Sequence, residues 1–452
     1  VSSRQMHRPA VLPPRAWAFP EPAEHPLPNG MRLLLVDLPG QHVLSLRVVL
    51  ALPVSQEVPG TEGATLLMTR ALDEGTARHT SEEIAELSER HGIAWGAGAG
   101  ERGVHLGVEV TARHLGTALD LVTECLTEAT FPEAEVARLV RHRLADIAHD
   151  QADPGARASL EFIRTYFDPR DRPHQPLGGT RASVAALDPD VLRDRHASLT
   201  PAGGAVVLTG DLSACGDVVA AVAATLGSWA GSGGPAEAPA AARRADDAGR
   251  VVLVERPGLA QTELYLGRPG PDRRTPHGWG TYQTLGMVLG GSPHARIDQV
   301  LREERGYTYG VRAGFRPRAT GGLTVAGGSV RADATVPALR ELLDILAVPG
   351  AELTEPEVRA AADFVSMTAP GRYGTADAVA DEIVSLVSDG LEPRVVTATL
   401  EQLRGLTAAQ VGAAWDEVLA GPGWTVVLVG DPQHAAGLQD LGIGPVSVVT
   451  GS

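Results

Sequence analysis

The sequence predicts an α+β protein built as a tandem duplication of two homologous α/β sandwich domains. Three observations predict it. Residues 87–96, LSERHGIAWG, return at 301–310 as LREERGYTYG, with Leu, Glu and both Gly in register and Trp95 matched to Tyr309. VVLTGD at 206–211 returns at 426–431 as VVLVGD. Between the copies lies one low-complexity stretch, GSGGPAEAPAAARRADD at 231–247, with the composition of a linker. Matching landmarks in one order at a nearly constant offset mark a duplication. The expected organisation is a flexible arm over 1–20, a first domain over 21–229, a linker over 230–248 and a second domain over 249–452.

In chain order, strands are expected at Met31–Asp37 and Val43–Leu52, across a Pro-Gly turn. A short apolar helix covers Gly63–Leu72, with Gly75 as its stop. Thr80-Ser81-Glu82-Glu83 reads as a capping box opening a helix to His91. Strands follow at Ile93–Ala99 and Val104–Val110, then helices at about Ala112–Glu128 and Pro132–Asp150. A loop holding Pro176–Thr180 leads to a helix at Pro189–Leu199, a strand at Ala205–Thr209 and a helix at Ser213–Leu226. After the linker, strands are expected at Arg250–Glu255 and Thr262–Leu266, and helices at Trp279–Leu289 and Arg296–Glu304. Strands at Thr308–Phe315 and Gly322–Val330 precede helices at Val336–Leu346 and Glu355–Met367. Leu406-Thr407 echoes Leu187-Asp188.

Composition narrows the function. The chain has 452 residues, 43% of them hydrophobic, which suffices for packed cores. A net charge of −16 argues against a nucleic-acid or anionic-membrane binder, which needs a basic face. Cys125 and Cys215 both sit in apolar helical patterns and are expected to be free buried thiols; two cysteines cannot make a disulfide framework or a Cys-based zinc site. The first twenty residues are rich in Pro and Arg without an apolar core, and no later apolar run is long enough to span a bilayer. The expected location is cytoplasmic, with no membrane partner.

The second copy of the repeat carries Arg302 and Tyr309, where the first has Ser88 and Trp95. Arg302 is expected on a helix and Tyr309 on the next strand, with Gly306 allowing the sharp exit between them. A guanidinium can fork onto carbonyl oxygens, and a phenol can donate to an oxyanion. The pair is thus a substrate clamp and transition-state stabiliser with neither nucleophile nor metal. On the residues alone, the plainer reading is a surface arginine and a half-buried strand tyrosine.

LGGSPHARIDQVLREERGYTYGV, Leu289–Val311, resembles the second-domain signature of the inverted-zincin metallopeptidases, the family of pitrilysin, insulin-degrading enzyme and the mitochondrial processing peptidase. EGATLLMTRALDEGT at 62–76, LSERHGIAWGA at 87–97 and LTGDLS at 208–213 resemble that family's first domain. The resemblance runs from about Pro26 onward and implies the processing-peptidase-like fold. It maps the family's Arg and Tyr, seven apart, onto Arg302 and Tyr309.

It also implies what is missing. In active members a zinc motif H-x-x-E-H lies just before the position of Gly75-Thr76. The two histidine ligands would fall at Leu66 and Arg70, the general-base glutamate at Thr69, and the distal glutamate ligand at Asp146. Leucine, threonine and arginine can neither bind zinc nor activate its water. No H-x-x-E-H or H-E-x-x-H occurs in the chain. His142, Asp146 and His149, at i, i+4 and i+7, share a helix face and form an alternative metal cluster, although a solvated polar face explains them as well. His105 reads as a strand residue. Gly290-Gly291 lacks the Lys-Ser/Thr of a phosphate loop and reads as relief of crowding.

The resemblance therefore implies the non-catalytic subunit of a heterodimeric zinc metallopeptidase. It carries no cofactor itself. It supplies Arg302 and Tyr309 to a homologous partner that bears H-x-x-E-H and the zinc, in a clam-shaped chamber admitting short unfolded peptides. A structural or chaperone-like homologue without catalytic role is the alternative. A stand-alone hydrolase around His142 is a third reading.

Overall fold

The computed structural model describes residues 12, 15–231, 234, 236–292 and 294–450. Residues 1–11, 13 and 14 of the expected arm, and 232, 233 and 235 of the expected linker, lie outside the described residues. The first half runs β1 (Ala23–Pro26), β2 (Arg32–Asp37), β3 (Val43–Ala51), α1 (Ala64–Arg70), α2 (Ser81–His91), β4 (Ala94–Ala99) and β5 (Gly103–Thr111). It continues α3 (Leu115–Thr127), α4 (Glu133–Ala152), α5 (Pro154–Tyr166), α6 (Arg181–Ala185), α7 (Pro189–His196), β6 (Ala205–Gly210) and α8 (Val218–Ala224). The second half runs β7 (Val251–Glu255), β8 (Gln261–Gly270), α9 (Trp279–Gly286), β9 (Arg312–Pro317), β10 (Gly322–Arg331), α10 (Thr335–Leu346) and α11 (Glu355–Arg372). It ends α12 (Ala376–Ser388), α13 (Val395–Gly405), α14 (Ala408–Leu419), β11 (Thr425–Gly430), α15 (Ala435–Gln439) and β12 (Val446–Val449). Two π-helical segments, Met287–Gly291 and Asp298–Glu304, lie between α9 and β9.

Each half has one six-stranded mixed sheet, ordered β1-β2-β6-β3-β5-β4 and β12-β7-β11-β8-β10-β9. Five strands correspond in the same order, so the duplication read from the landmarks is a duplication of topology. The halves differ at one edge: β1 adds antiparallel to β2, whereas β12 adds parallel to β7. β6 and β11 are buried at every residue. A strand covered on both faces needs such an unbroken apolar run.

What covers those faces joins the halves. Alternate residues of β2 and β6 point to opposite sides. Leu33, Val206 and Leu208 join the first half's own core, while Leu34, Val36 and Val207 join the core of the second half. There α12 lies across β3 and β6, bringing Val379, Ala380 and Ile383. The Thr209 hydroxyl donates to the Ala376 carbonyl at 2.7 Å, and Arg47 Nε donates to Asp381 at 2.8 Å. Reciprocally, α5 of the first half lies across β8 and β11, where Ala158, Phe162 and Tyr166 pack on Val252, Val254, Val427 and Val429. Gly267 on β8 makes room, because a Cβ there would sit 2.4 Å from the Phe162 ring.

The structure corrects several expectations. α5, α12, α13 and α14 were not anticipated, and α5 and α12 each pack on the half of the chain remote from them in sequence. The arm expected over 1–20 is anchored at its end. Trp17 stacks on Tyr373 with centroids 5.8 Å apart, Phe19 meets the same ring edge-on at 5.0 Å, and Phe19 N donates to the Thr397 hydroxyl. The expected linker is also fixed where it ends. Arg243 N donates to Asp171, Asp168 N donates to the Arg243 carbonyl, and Ala245 N donates to the Tyr166 carbonyl. The strand expected at Thr308 begins only at Arg312.

A degenerate metal crevice and an exposed tyrosine

In the first half, α1 lies between the sheet and α4. Five of its seven residues are buried, which fits a helix packed nearly all round. Its N-terminus is held by Glu57, whose side chain is fully buried and accepts from Thr65 N at 2.8 Å. An acceptor there satisfies an orphan amide and complements the helix dipole. Arg172 forks onto the same carboxylate at 2.7 and 2.9 Å. Arg195 completes the network, donating to the Thr65 hydroxyl and to the carbonyls of Leu52 and Pro53. Burial pushes this guanidinium below the usual arginine range; Glu57 opposes the shift and Arg172 adds to it.

This frame presents Leu66 and Arg70, one turn apart, toward α4. Arg70 Nη1 lies 3.9 Å from Asp146 Oδ2, and Arg143 approaches the same carboxylate at 3.8 Å. Two of the positions that the resemblance assigns to zinc, Arg70 and Asp146, are thus neighbours in space. Their chemistry does not fit the metal. Leu66 offers no donor, Arg70 brings a cation, and Asp146 already faces two guanidiniums. Thr69 is fully buried and its hydroxyl donates to the Thr65 carbonyl at 2.7 Å, so no base replaces the glutamate. A recess of about 340 Å³ remains, lined by Leu67, Arg70, Leu139, His142, Ala145 and Asp146. His142 faces it, but among the described residues no three His, Cys, Asp or Glu side chains converge on a metal site. The alternative cluster of His142, Asp146 and His149 is therefore not assembled.

Beyond α1, burial pushes the Asp73 carboxyl up to about 6, with Glu74 adding to the shift and Arg138 opposing it. Burial would raise Glu124 too, but hydrogen bonds from Thr76 and His79 and the charge of Arg78 bring it below the usual range. Cys125 is buried and unpaired, and Cys215 is half-buried and unpaired.

In the second half, Arg302 stands on the π-helical segment Asp298–Glu304. Gly306 closes that segment at φ 62°, as Gly92 closes α2 at φ 62°. The bonds past the glycines differ by one residue: Ile93 N donates to the Ser88 carbonyl, five residues back, and Tyr307 N donates to the Leu301 carbonyl, six back, each at 2.8 Å. After the glycines the halves part. Pairing through the sheets equates Val206 with Val426, Val48 with Leu266, Leu106 with Ala326 and Ala97 with Ala313. The helix ends correspond at an offset of 214 and these edge-strand residues at 216. Two extra residues therefore sit between Gly306 and β9. Trp95 corresponds to Val311 and not to Tyr309, which corrects the match read from the repeat.

The extra residues form a pinned loop. Tyr307 packs against the core, and its carbonyl accepts from Arg331 N at 2.8 Å. The buried Thr308 hydroxyl donates to the Ser329 carbonyl at 2.6 Å and accepts from Gly310 N at 2.9 Å. Val311 is fully buried. Between these anchors Tyr309 is 90% exposed. Tyr309 does not lie on a strand as expected, because β9 begins only at Arg312. At the base of the loop, fully buried Asp298 accepts from Arg312 Nη1 at 3.0 Å, and the same nitrogen donates to the Gly290 carbonyl at 3.1 Å. A Cβ on Gly290 would lie 2.6 Å from Ala313 N, which explains that glycine as relief of crowding. Arg302 is 43% exposed and, among the described residues, meets only Glu303 at 3.5 Å. The Asp298–Arg312 pair escaped the sequence reading, since an Asp and an Arg fourteen residues apart carry no periodic signal.

Two family models match this chain: Insulinase (Peptidase family M16) over residues 32–164, and Peptidase M16 inactive domain over 186–363. An uncharacterized zinc protease of Streptomyces coelicolor is 28% identical over 63% of this chain, and the chain spans 62% of that protein's length. One from Mycobacterium leprae is 26% identical over 74% of this chain and 75% of its own. Among solved structures, a peptidase M16 inactive domain from Pseudomonas fluorescens superposes with a TM-score of 0.82 at 24% identity, covering 91% of this chain and 98% of that one. A protease from Helicobacter pylori gives 0.82 at 15% identity, covering 91% and 100%. These likenesses extend the two-sheet fold to both proteins. No helix among the described residues is long and apolar enough to cross a membrane.

Proposed function

This chain belongs to the M16 family of inverted-zincin peptidases, and from that premise we propose that it is the non-catalytic subunit of a two-subunit zinc metallopeptidase. One observation carries the reading. The phenol of Tyr309 is held out by a loop anchored on both sides, while the metal positions of the first half hold Leu66, Thr69, Arg70 and Asp146. The zinc, its water and the base glutamate would come from a homologous H-x-x-E-H partner. This chain would bring two groups to that centre. Arg302, whose fork of donors meets only Glu303, at 3.5 Å, among the described residues, would hold a substrate carbonyl. Tyr309 would donate its hydroxyl to the oxyanion that develops on the scissile carbonyl. A short unfolded peptide is the substrate class, because a scissile bond must reach between two subunits.

The test is reconstitution. Alone, the chain should hold no stoichiometric zinc and cleave no peptide. Mixed with its zinc-bearing homologue, it should form a heterodimer, and peptide cleavage should appear only then. About one tightly held zinc per isolated chain, or a partner fully active alone, would refute the division of labour. A heterodimer whose rate ignores both Arg302 and Tyr309 would favour the scaffold reading.

A further inference from the structure

The second half holds a cavity of about 550 Å³ where α9, α11, α12 and α13 meet the edge strand β9. Its body is apolar, formed by Trp279, Met287, Phe315, Leu386 and Val396, with Phe364 half-exposed on its lining. Tyr373 also lines it, backed by the rings of Trp17 and Phe19. The size and the apolar lining with few polar groups are those of a small-ligand pocket.

The charges are unequal. The lining has two arginines, Arg273 and Arg372, and one carboxylate, Glu382. Glu382 lies 3.7 Å from Arg273 and 3.5 Å from Arg372, so it is shared and tightly bound by neither. Arg273 has further company in Asp389 at 3.5 Å and the Ser385 hydroxyl at 3.1 Å, although its buried Nε makes no hydrogen bond. Asp389 in turn lies 3.5 Å from Arg102. Arg372 is 60% exposed and its one acceptor among the described residues is that distant Glu382 oxygen. A guanidinium so placed has donors to spare.

We propose that this cavity binds a molecule with an apolar body and a single carboxylate, the body among Trp279, Phe315 and Leu386 and the carboxylate on Arg372. The site does not depend on the peptidase reading. Two sources share this chemistry, the C-terminal residue of a peptide and a fatty acid.

Calorimetric titration of the full chain with N-acetyl-Leu-Phe, octanoate and their carboxamides tests the proposal. One or both acids should bind saturably at one site, about tenfold more tightly than the matching amide, as a charge-assisted contact requires. Whichever acid binds more tightly assigns the source. Arg372→Ala, at an exposed position, should erase the acid-over-amide preference. Thr368→Trp, which fills the cavity from its exposed edge, should abolish binding with the melting curve retained. If neither acid saturates the wild-type chain, or if Arg372→Ala keeps the wild-type preference, the proposal is overturned.

Discussion

The crevice between α1 and α4 and the cavity beside α9 and α11 occupy equivalent places in the two halves, yet they differ in size and in what holds them. The first is small and of mixed lining: Arg70 and Arg143 both approach Asp146, at 3.9 and 3.8 Å, and Glu57 and Arg172 lock the helix beneath. The second is apolar, with Arg372 weakly engaged at its edge and Tyr309 projecting beyond the adjoining strand. One duplicated scaffold therefore presents a small recess over a locked helix in one half and a larger cavity with two arginines around one carboxylate in the other. Groups already satisfied within the fold have little to offer a substrate. Groups left unpaired at low folding cost, near the surface, are the ones a partner or ligand can use.

Four experiments break or sharpen this comparison. The largest effect is expected from Glu57→Ala, which strands Arg172 in the interior and uncaps α1. Removing one member of a buried pair costs about 3–5 kcal/mol, so the denaturant midpoint should fall sharply. A loss below about 1 kcal/mol would mean the crevice is not held by this network.

Next is Tyr309→Phe in the reconstituted heterodimer. Loss of one oxyanion donor lowers kcat by about 10²–10³, roughly 3–4 kcal/mol, with stability unchanged at so exposed a site. Arg302→Ala should raise KM as well as lower kcat. Tyr307→Phe is the control and should cleave peptide at nearly the wild-type rate. The reverse pattern would place the active hydroxyl on Tyr307.

Asp73 gives the first half a pH dependence. Its folded carboxyl titrates at about 6, above the unfolded value, so the fold retains a proton that the unfolded chain releases. The stability tied to that proton is present below about pH 4 and is lost as pH rises through 6, by at most about 3 kcal/mol. The difference in urea midpoint between wild type and Asp73→Asn should therefore change across that window. A constant difference would show that the carboxyl is not perturbed.

The smallest effect is the sharpest comparison. Gly92→Ala and Gly306→Ala each place a Cβ at φ 62°, costing about 1 kcal/mol, and thermal melts should register them alike. Only Gly306→Ala tilts the loop bearing Tyr309, so only it should slow the heterodimer. Equal slowing by both would remove the distinction between the halves.

The sequence was most legible where structure is local. The Thr80–Glu83 capping box forms as expected, with both reciprocal bonds. The apolar strands and the order of landmarks led directly to two homologous sheets. Long-range packing was not legible. α5 and α12 read as unassigned stretches, and nothing local shows that their buried faces meet strands far away in the chain. Trp17 and Phe19 lay hidden in a Pro- and Arg-rich segment whose composition suggests a free arm. Of the positions that the resemblance assigns to the lost zinc ligands, Arg70 and Asp146 lie 3.9 Å apart. The two residues that carry Tyr309 outward were missed, since matching glycines on either side gave a continuous register that the hydrogen bonds do not follow.

The reciprocal crossing of α5 and α12 bears on how the chain is made. A ribosome that has released residues 1–229 has delivered all six strands of the first sheet, but the helix that covers its second face is still unsynthesised. Until residue 388 emerges, Leu34, Val36 and Val207 stay open to water and to any chaperone that binds apolar surface. The nascent protein is thus expected to pass through a half-dressed stage lasting more than a hundred and fifty residues of translation. An apolar dye that lights up on a 1–229 fragment and stays dark on the whole chain would register it, and equal brightness on both would exclude it.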